Sequence, residues 1–351
     1  MLTKLNIYNF RGLTDFELAL EPGINLITGE NGSGKSSILE AIFYLARGRS
    51  FRTSNPEVMI ASSEQNFTLR LNLKDGLVIA TERYKGGKVR HKIDGENCNT
   101  IIELSEHLPV LFLDTDSQRW LAAGPKNRRQ TVDWGLFYGI RKDFYQVWRE
   151  FRRCLLQRNA AIKSGSDFSI WDDLFLEKSL LLDALRKEYV LDLNTALDGI
   201  WDICGSAIGA INLKYHSGWS KELGPALQNS HERDKVLGHT SIGPHRADLS
   251  IMIDDKPASQ YLSQGQQKLL TFAIMLAQAQ LFNSDTGMNC LLLLDDICAE
   301  LDLNRRESIL NYLISSQHQV IVTGIVDREI IQVLPDSGWH HVKLNQASSG
   351  L

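Results

Sequence analysis

A glycine-rich segment that ends in a lysine and a serine carries the clearest chemical prediction of this sequence. Residues 29–36 read Gly-Glu-Asn-Gly-Ser-Gly-Lys-Ser and match the pattern G-x-x-x-x-G-K-[ST]. They follow the apolar run Ile24–Thr28 and precede a helical run from Ser37, the order that phosphate binding requires. In such a loop the backbone N–H groups and the helix N-terminus attract phosphate oxygens. We therefore predict that ATP binds at Gly29, Glu30, Asn31, Gly32, Ser33, Gly34, Lys35, Ser36 and Ser37.

Two acidic residues later in the chain complete the predicted catalytic site. The apolar residues 291–294 read as a buried strand, and Asp295 and Asp296 follow it directly. We expect Asp295, through water, and the Ser36 hydroxyl to bind Mg²⁺. Lys35 is expected to contact the β- and γ-phosphates and Asp296 to orient the attacking water, so these two are the predicted catalytic residues. Paired acids can also cap the following element, but the phosphate loop in the same chain favours the catalytic role.

A short segment between these motifs has a polar start and an apolar continuation. Residues 262–266 read Leu-Ser-Gln-Gly-Gln and precede an apolar helical run. Alone, this segment predicts only a helix whose N-cap is Ser263. Lys35 and Asp295 are 260 residues apart, much farther than in a compact nucleotide-binding sheet. A large segment must therefore be inserted between the two motifs.

The spacing of apolar residues divides the chain into an α/β head and an inserted helical lobe. Residues 1–115 read as short strands interrupted by one helix, and from Pro125 to about residue 209 the apolar period is 3.6. Strands and helices alternate afterwards. We predict a discontinuous head of residues 1–120 and 240–351, with 121–239 as a mainly helical lobe. The predicted strands are 2–7, 23–28, 67–73, 77–82, 211–215, 249–253, 291–294 and 320–322, with a hairpin near 94–95; the predicted helices are 37–46, 264–282, 305–315 and 327–333.

Basic residues are concentrated in the predicted helical lobe, although the whole chain has a net charge of −4. Between Arg119 and Lys163, eleven Lys or Arg stand against three acidic residues, a local charge of +8, so the remainder carries −12. On a helical wheel from Arg141, apolar side chains including Trp148 share one face and arginines gather on another, with Arg158 near the apolar edge. A solvated helix face is the alternative, but the shortage of acids favours a surface for DNA phosphates. The candidate DNA-binding residues are Lys126, Arg128, Arg129, Arg149, Arg152 and Arg153.

The bulk composition argues against several classes of protein. The five cysteines form no C-x-x-C pair and have no histidines at zinc-finger spacing, so no disulfide framework or zinc site is predicted and a reducing cytoplasm is expected. No apolar run approaches the ~18 residues that a membrane span needs. His245 has no evident catalytic partner, so we expect it to support a turn. Whether Arg11, Arg49, Arg52 and Arg246 face nucleotide or DNA stays open at this point.

The order of these motifs resembles that of a known family. Four motifs follow one another as in the ABC-type ATPase heads of the SMC and Rad50 class. They are the phosphate loop, the LSQGQ segment, the Asp-Asp strand end and Ala299-Glu300-Leu301-Asp302. Within that class, segments along nearly the whole chain resemble the bacterial recombination mediators. The matching segments are residues 9–11, 30–41, 48–52, 124–125, 128–129, 133–135, 157–159, 243–246, 248–249 and 262–302.

The resemblance implies an ATP site that two copies of the chain complete together. Ser263, Gln264 and Gly265 of one copy would close over ATP held by the phosphate loop of the other, so that the γ-phosphate controls an ATP-dependent homodimer. The dimer would hold duplex DNA and single-strand/duplex junctions, supporting repair of gapped DNA, replication restart and SOS induction. The implied partners are RecR and RecO, and indirectly RecA, which they load onto single strands.

Departures from the broader class predict slow, DNA-stimulated hydrolysis that acts as a switch. Most ABC-type ATPases carry Glu where this chain has Asp296, one methylene shorter, and His where it has Thr323. Ala299 replaces a serine that such mediators often carry. Gln118 lies near the expected glutamine loop, but its flanking residues match poorly.

Two other functions are compatible with parts of this pattern. A nucleotide-binding subunit of a membrane transporter would share the motifs, but it needs no basic helical lobe and its motifs are usually closer together. The head of a long SMC-like or nuclease-fused protein would need long arms or an acidic metal cluster, and the sequence has neither. The leading prediction is therefore an ATP-controlled DNA-binding protein.

Overall fold

The structure is a computed structural model that describes residues 1–114, 116, 119–141, 143–296, 303–324 and 338–344. The chain divides into two compact units. The nucleotide unit consists of Met1–Asp116 and Met288–Leu351, and the helical unit is Ser117–Gly287. The sequence placed the second boundary at residue 240, whereas the units divide after Gly287. Residues 240–287 therefore belong to the helical unit.

The strands of the described chain are distributed over both units. They are β1 Leu2–Phe10, β2 Leu13–Ala19, β3 Ile24–Thr28, β4 Asn66–Leu73, β5 Val78–Tyr84, β6 Val89–Ile93, β7 Glu96–Cys98, β8 Val110–Leu113, β9 Ile211–His216, β10 Asp248–Ile253, β11 Lys256–Pro257, β12 Leu291–Asp295, β13 Gln319–Gly324 and β14 Trp339–Lys343. The helices are α1 Lys35–Arg47, α2 Ile101–Ser105, α3 Arg119–Ala122, α4 Pro125–Tyr138, α5 Phe144–Ser164, α6 Asp172–Cys204, α7 Leu223–Asn229, α8 His231–Leu237, α9 Ala258–Tyr261, α10 Gln264–Thr286 and α11 Leu303–Ser315.

The nucleotide unit contains an antiparallel sheet and a parallel sheet. The antiparallel sheet has the order β2-β1-β4-β5-β6-β7, and the parallel sheet has the order β14-β3-β13-β12-β8. Strands β3, β12 and β13 are buried along almost their whole length, as expected for a parallel sheet with both faces covered. This arrangement brings the carboxyl ends of β3, β12 and β13 to one edge, the usual ligand edge of a parallel sheet.

Helix α1 joins the two sheets into one core. All of its residues from Ser37 to Ala46 are buried. They share a single hydrophobic cluster with side chains of β1, β4, β12 and β13. The helix that follows the phosphate loop is therefore held on several sides, and this packing fixes the position of its first turn.

Helix α6 is the centre of the helical unit. It packs against α4, α5, α10 and β9. A β-carbon at Gly135 in α4 would lie 1.8 Å from the Tyr189 hydroxyl, so this close helix contact requires glycine. The small sheet β11-β10-β9 and helix α10 complete the unit, and their contacts with α4 and α6 explain why residues 240–287 are part of it.

The comparison with the predicted elements shows which signals were weak. The sequence missed β2, β8 and β14, which are short or carry charges at alternate positions. The predicted helix at 327–333 lies outside the described residues. Across the described ranges, no helix has both the length and the apolar character that a membrane crossing needs.

Candidate nucleotide site and basic surface

The phosphate loop makes a turn that side chains would obstruct. Gly32 and Gly34 have φ angles of 84° and 99°, in the left-handed region that favours glycine. A β-carbon at Gly29 would lie 2.6 Å from Ser33 Oγ. Helix α1 begins directly after Gly34 without a side-chain cap and without an acidic residue in its first turn. The N–H groups of this turn are therefore available to phosphate oxygens.

Lys35 is a buried cation whose partners are neutral. Its side chain is only 6% exposed, and Nζ donates to the carbonyl oxygens of Gly29 at 2.7 Å and Glu30 at 3.0 Å. Among the residues that the structure describes, no carboxylate lies within 4.0 Å of Nζ, and the buried Ser33 Oγ has no hydrogen-bond partner. A buried charge without a counter-ion is costly unless a ligand supplies one. The loop thus fits a phosphate group.

The two predicted metal-binding residues, Ser36 in the first turn of α1 and Asp295 at the end of β12, lie together. Ser36 Oγ donates to Asp295 Oδ1 at 3.2 Å, and Thr323 Oγ1 donates to the same oxygen at 2.5 Å. The register of β12 and β13 pairs Asp295 with Thr323. One hydroxyl and one carboxylate are a suitable set for Mg²⁺, which keeps several water and phosphate ligands. Within the described ranges, no group of three or more His, Cys, Asp or Glu forms a metal site.

Asp296 occupies a special backbone position directly after β12. Its φ is 55°, which Asp tolerates better than most residues, and its N–H donates to the Thr323 carbonyl at 3.2 Å. Asp296 is partly buried and directly follows Asp295, which accepts a hydrogen bond from Ser36. The predicted catalytic pair of Lys35 and Asp296 thus belongs to one unit.

Glu40 organises a set of polar residues that sequence reasoning missed. Its carboxylate is fully buried and accepts hydrogen bonds from Arg11 Nη2 at 2.7 Å and Ser50 Oγ at 2.5 Å. Arg52 Nη1 lies 3.6 Å away. These contacts tie α1 to the loops before and after it, so Arg11 has a structural role and Arg52 a partly structural one. Arg49 is exposed.

Ser263 is the N-cap of α10, as the sequence predicts. Its hydroxyl accepts from the Gln266 N–H at 3.4 Å, while Gln266 Oε1 accepts from the Ser263 N–H at 2.9 Å. This reciprocal pair is a capping box. Ser263, Gln264 and Gly265 are exposed, and no atom lies within 4 Å of a β-carbon built at Gly265. The segment is ordered by its own helix and free to meet another surface.

Two of the six candidate DNA-binding residues make hydrogen bonds within the helical unit. The Arg128 guanidinium forms two 2.8 Å hydrogen bonds with the Asp248 carboxylate and also donates to the carbonyls of Leu121 and Ala123. Arg129 Nη1 donates to Ala247 O at 2.5 Å, and burial, with the nearby Arg186, lowers its pKa. The guanidinium groups of Arg128 and Arg129 are thus engaged by partners in or next to β10, and these contacts do not favour the predicted role in binding DNA phosphates.

The other four candidates, Lys126, Arg149, Arg152 and Arg153, are exposed. Arg158, which lies on the same helix, is fully buried. It donates to Asp172 Oδ1 at 2.9 Å and to Asp234 Oδ2 and Thr240 Oγ1 at 2.8 Å each. Helix α5 thus has a buried arginine that holds the unit together and exposed arginines on other sides.

His245 has the supporting role that the sequence suggested. Its Nε2 donates to the Thr240 carbonyl at 3.0 Å, and its ring packs near Phe151 and Phe175. Burial is the main reason that the pKa of His245 falls to about 4. The neighbouring Arg246 is exposed. Gln118 and residues 299–302, which carried other predictions, lie outside the described residues.

The fold and the site define an ABC-type ATPase head of the SMC class with an inserted, mainly helical lobe. The model of the family described as "RecF/RecN/SMC N terminal domain" matches residues 1–336. The DNA replication and repair protein RecF of Shewanella baltica (strain OS223) is 38% identical over 354 aligned residues, 97% of each chain. The RecF protein of Shewanella oneidensis is 37% identical over the same share. The chain therefore belongs to the RecF family.

Solved structures agree with this assignment. The recombination mediator protein RecF-ATPrS in the RecFOR pathway superposes with a TM-score of 0.85 at 25% identity, covering 99% of this chain and 96% of that one. RecF-ATP gives 0.83 at 26% identity, covering 93% and 92%. An Smc head domain from Pyrococcus furiosus, at 16% identity and a TM-score of 0.59 with 98% and 94% covered, shares the fold alone. A transporter subunit, the alternative reading of the motifs, is not favoured.

Proposed function

We propose that the chain is an ATP-controlled DNA-binding protein in which the nucleotide joins two copies. The observation that carries the proposal is the buried Lys35 ammonium, which has carbonyl partners but no carboxylate among the described residues. Residues 29–37 would hold the phosphates of ATP, the nucleotide named with the solved RecF-ATP structure. Ser36 and Asp295 would bind Mg²⁺, which when bound neutralises part of the phosphate charge.

The second half of the site would come from the partner copy. Ser263, Gln264 and Gly265 lie exposed at the start of α10, a helix of 23 residues whose N-terminus favours an anion. The capping box ties Ser263 to Gln266. We infer that it closes over the γ-phosphate of ATP bound to another copy, so that ATP favours the dimer and ADP does not.

Hydrolysis would be slow and serve as a timer. Asp296 would orient water with a side chain one methylene shorter than Glu. The Thr323 hydroxyl donates to Asp295, and it therefore fixes the metal-binding carboxylate instead of acting as an acid or base. DNA would stimulate this weak ATPase. The ATP-bound dimer is the state that holds DNA.

The biological role proposed is recombinational repair of gapped DNA, with replication restart and SOS induction, in the cytoplasm. The names of the relatives, DNA replication and repair protein RecF, support this direction. RecR and RecO would act with the chain to load RecA. The exposed Lys126, Arg149, Arg152 and Arg153 provide charge for a sequence-tolerant contact with DNA phosphates.

Light scattering tests the nucleotide part of the proposal. The native chain should dimerise with ATP and remain monomeric with ADP or without nucleotide. Ser263→Arg should abolish the dimer by steric and charge conflict at the interface, and Asp296→Asn should prolong it by slowing hydrolysis. Monomers of the native chain under all three conditions would contradict a shared site.

Duplex binding at several salt concentrations tests the DNA part. Changing Arg149, Arg152 and Arg153 to Glu should weaken duplex binding by at least about tenfold and reduce its salt dependence, while ATP-driven dimerisation stays intact. The matched control changes three exposed lysines elsewhere, Lys74, Lys85 and Lys221, to Glu and has the same net charge. Equal losses in both variants would show that total charge, and not α5, determines the affinity.

A further inference from the structure

One side of helix α5 carries aromatic rings and guanidinium groups in alternation. Tyr145, Trp148, Arg149 and Arg152 follow the spacing i, i+3, i+4 and i+7, which places them in one stripe along the helix. We call this set the aromatic stripe. The rings of Tyr145 and Trp148 have centroids 6.5 Å apart and planes within 21° of parallel. Arg149 lies 5.8 Å from the Tyr145 ring centroid and Arg152 lies 5.2 Å from that of Trp148.

The aromatic stripe is separate from the side of α5 that the core uses. The buried side chains of the helix are Phe144, Phe151, Cys154, Arg158 and Ile162. Trp148, which the helical wheel assigned to the apolar face, is only partly buried, and so is Tyr145. The rings therefore retain surface that packing within the described chain does not cover.

The charges of the aromatic stripe are not neutralised within the described chain. Arg149 and Arg152 are exposed and neither forms an ion pair in the ranges described. Arg141, just before the same helix, shows the contrasting arrangement, because it contacts both Glu188 and Asp192. Glu150, the acidic residue of α5 nearest to the stripe in sequence, forms an ion pair with Lys178. The positive charge of the stripe is thus available to an external anion.

We propose that the aromatic stripe binds single-stranded nucleic acid by stacking unpaired bases on its rings and guanidinium planes. Each element of the stripe has a matching part of such a ligand: flat rings meet base faces, and guanidinium groups meet both base faces and phosphates. In a duplex, the base faces are covered by neighbouring bases, so a duplex offers the stripe phosphates only. Stacking accepts every base, so binding is tolerant of sequence.

This inference rests on the proposed DNA-binding function. It specifies that α5 recognises the unpaired bases of the DNA. At a junction, the paired region would supply phosphates to the exposed arginines, while the unpaired region supplies bases to Tyr145 and Trp148. The stripe would then distinguish a gapped site from continuous duplex. Stacking on base faces and contacts with phosphates do not require hydrogen bonds to the base edges.

The test compares strands that have the same phosphates but differ in bases. Binding of the full chain to an oligothymidylate, to an abasic strand of equal length and to a duplex is measured by fluorescence anisotropy with ATP present. The native chain should bind oligothymidylate roughly tenfold more tightly than the abasic strand, as base stacking on aromatic side chains predicts.

Paired variants separate stacking from charge and from folding. Trp148→Leu should remove most of the tenfold preference, while Trp148→Tyr should retain it. Arg152→Lys keeps the charge but loses the planar group, so it should reduce the preference by about two- to threefold and leave abasic binding unchanged. Arg153→Gln, next to the stripe, should weaken both strands equally. The arginine variants are informative even if Trp148→Leu folds poorly.

The outcomes distinguish this inference from the function on which it rests. Equal native affinity for oligothymidylate and the abasic strand would overturn base stacking while leaving phosphate-directed DNA binding intact. A base preference that survives both Trp148→Leu and Arg152→Lys would also overturn it, because the bases would then be bound elsewhere. Absence of binding to every strand and to duplex would refute the proposed function itself.

Discussion

Lys35 in the nucleotide unit and Arg158 in the helical unit are both buried cations, yet their surroundings differ. Arg158 is fully buried between the carboxylates of Asp172 and Asp234 and the Thr240 hydroxyl. Lys35 has only two backbone carbonyl oxygens near its Nζ. Removing one partner of a compensated buried pair leaves an unpaired buried charge and is strongly destabilising, whereas an uncompensated buried cation can be neutralised by a bound anion. A buried Lys or Arg is therefore assigned a structural or a ligand-binding role by its hydrogen-bond partners, and not by its burial alone.

His245 is a third basic residue, and its ring is neutral instead of charged. It has a carbonyl partner on Nε2, while Nδ1 has no hydrogen-bond partner within the described chain. A proton on Nδ1 would therefore carry a charge with no acceptor. Burial lowers the pKa of His245 to about 4, so the ring stays neutral at pH 7. Arg158 with its carboxylates, Lys35 with carbonyl partners and His245 as a neutral ring therefore lead to three different predictions.

The largest expected effect is on Arg158. Replacing it with Met should lower the free energy of unfolding by about 3–5 kcal/mol, because the fully buried Asp234 would lose its cation, whereas the half-buried Asp172 would keep His231 as a partner. Arg153→Met, on the exposed side of the same helix, is the matched control and should change stability by less than about 0.5 kcal/mol. Urea denaturation measures both. Equal losses would remove the distinction between compensated and exposed arginines.

The next effect is the pH dependence of stability. His245 has a pKa of about 4 in the folded chain and 6.5 as its ordinary value, so the unfolded chain binds more protons between these values. Stability should fall as pH decreases from 6.5 to 4, by about 2–3 kcal/mol from this residue. His245→Gln should have a flatter profile over this window in urea denaturation. An unchanged slope would contradict a neutral, buried imidazole.

Lys35→Met should separate stability from ligand binding. Loss of the charge-assisted contacts should weaken ATP binding by roughly 10- to 100-fold. The free energy of unfolding should not fall, because no buried carboxylate in the described chain depends on Lys35. Isothermal titration gives the affinity and urea denaturation the stability. A stability loss as large as that of Arg158→Met would place Lys35 among the structural bases.

The smallest effect concerns Ser263, to which we assign both a cap and a ligand contact. Ser263→Ala should cost about 1 kcal/mol of stability, since the capping box is lost. Ser263→Asp should preserve the cap but repel the γ-phosphate of the partner site. Thermal unfolding of the two variants, beside light scattering with ATP, separates the roles. If Ser263→Asp dimerises normally, the hydroxyl does not face the nucleotide.

The sequence predicted the parts of this molecule that depend on neighbouring residues. The phosphate loop, the buried strand before Asp295 and the N-cap of α10 all follow from short segments with a fixed order. The parts that it did not predict are pairs of distant residues. Arg128 meets Asp248 and Arg158 meets Asp234, 120 and 76 positions away, and neither spacing leaves a periodic signal. The helical wheel located Arg158 near the apolar edge but could not supply its carboxylates.

Burial and edge position explain the remaining differences. Glu40 lies within the apolar helix after the phosphate loop, and its partners Arg11 and Ser50 come from loops on both sides. Strand β2 has charges at alternate positions and lies at the edge of its sheet, where the apolar signal is weak. The boundary after Gly287 depends on helix packing around α6, which sequence spacing does not encode.

The most direct test of the shared nucleotide site mixes two inactive chains. Lys35→Met chains lack a working phosphate loop but have an intact segment at Ser263, and Ser263→Arg chains have the reverse defect. One heterodimer site would combine the intact loop of one chain with the intact segment of the other. We predict that the mixture recovers ATP-dependent dimerisation and part of the ATPase rate, although each variant alone has neither. A mixture no more active than its components would contradict a site built from two copies.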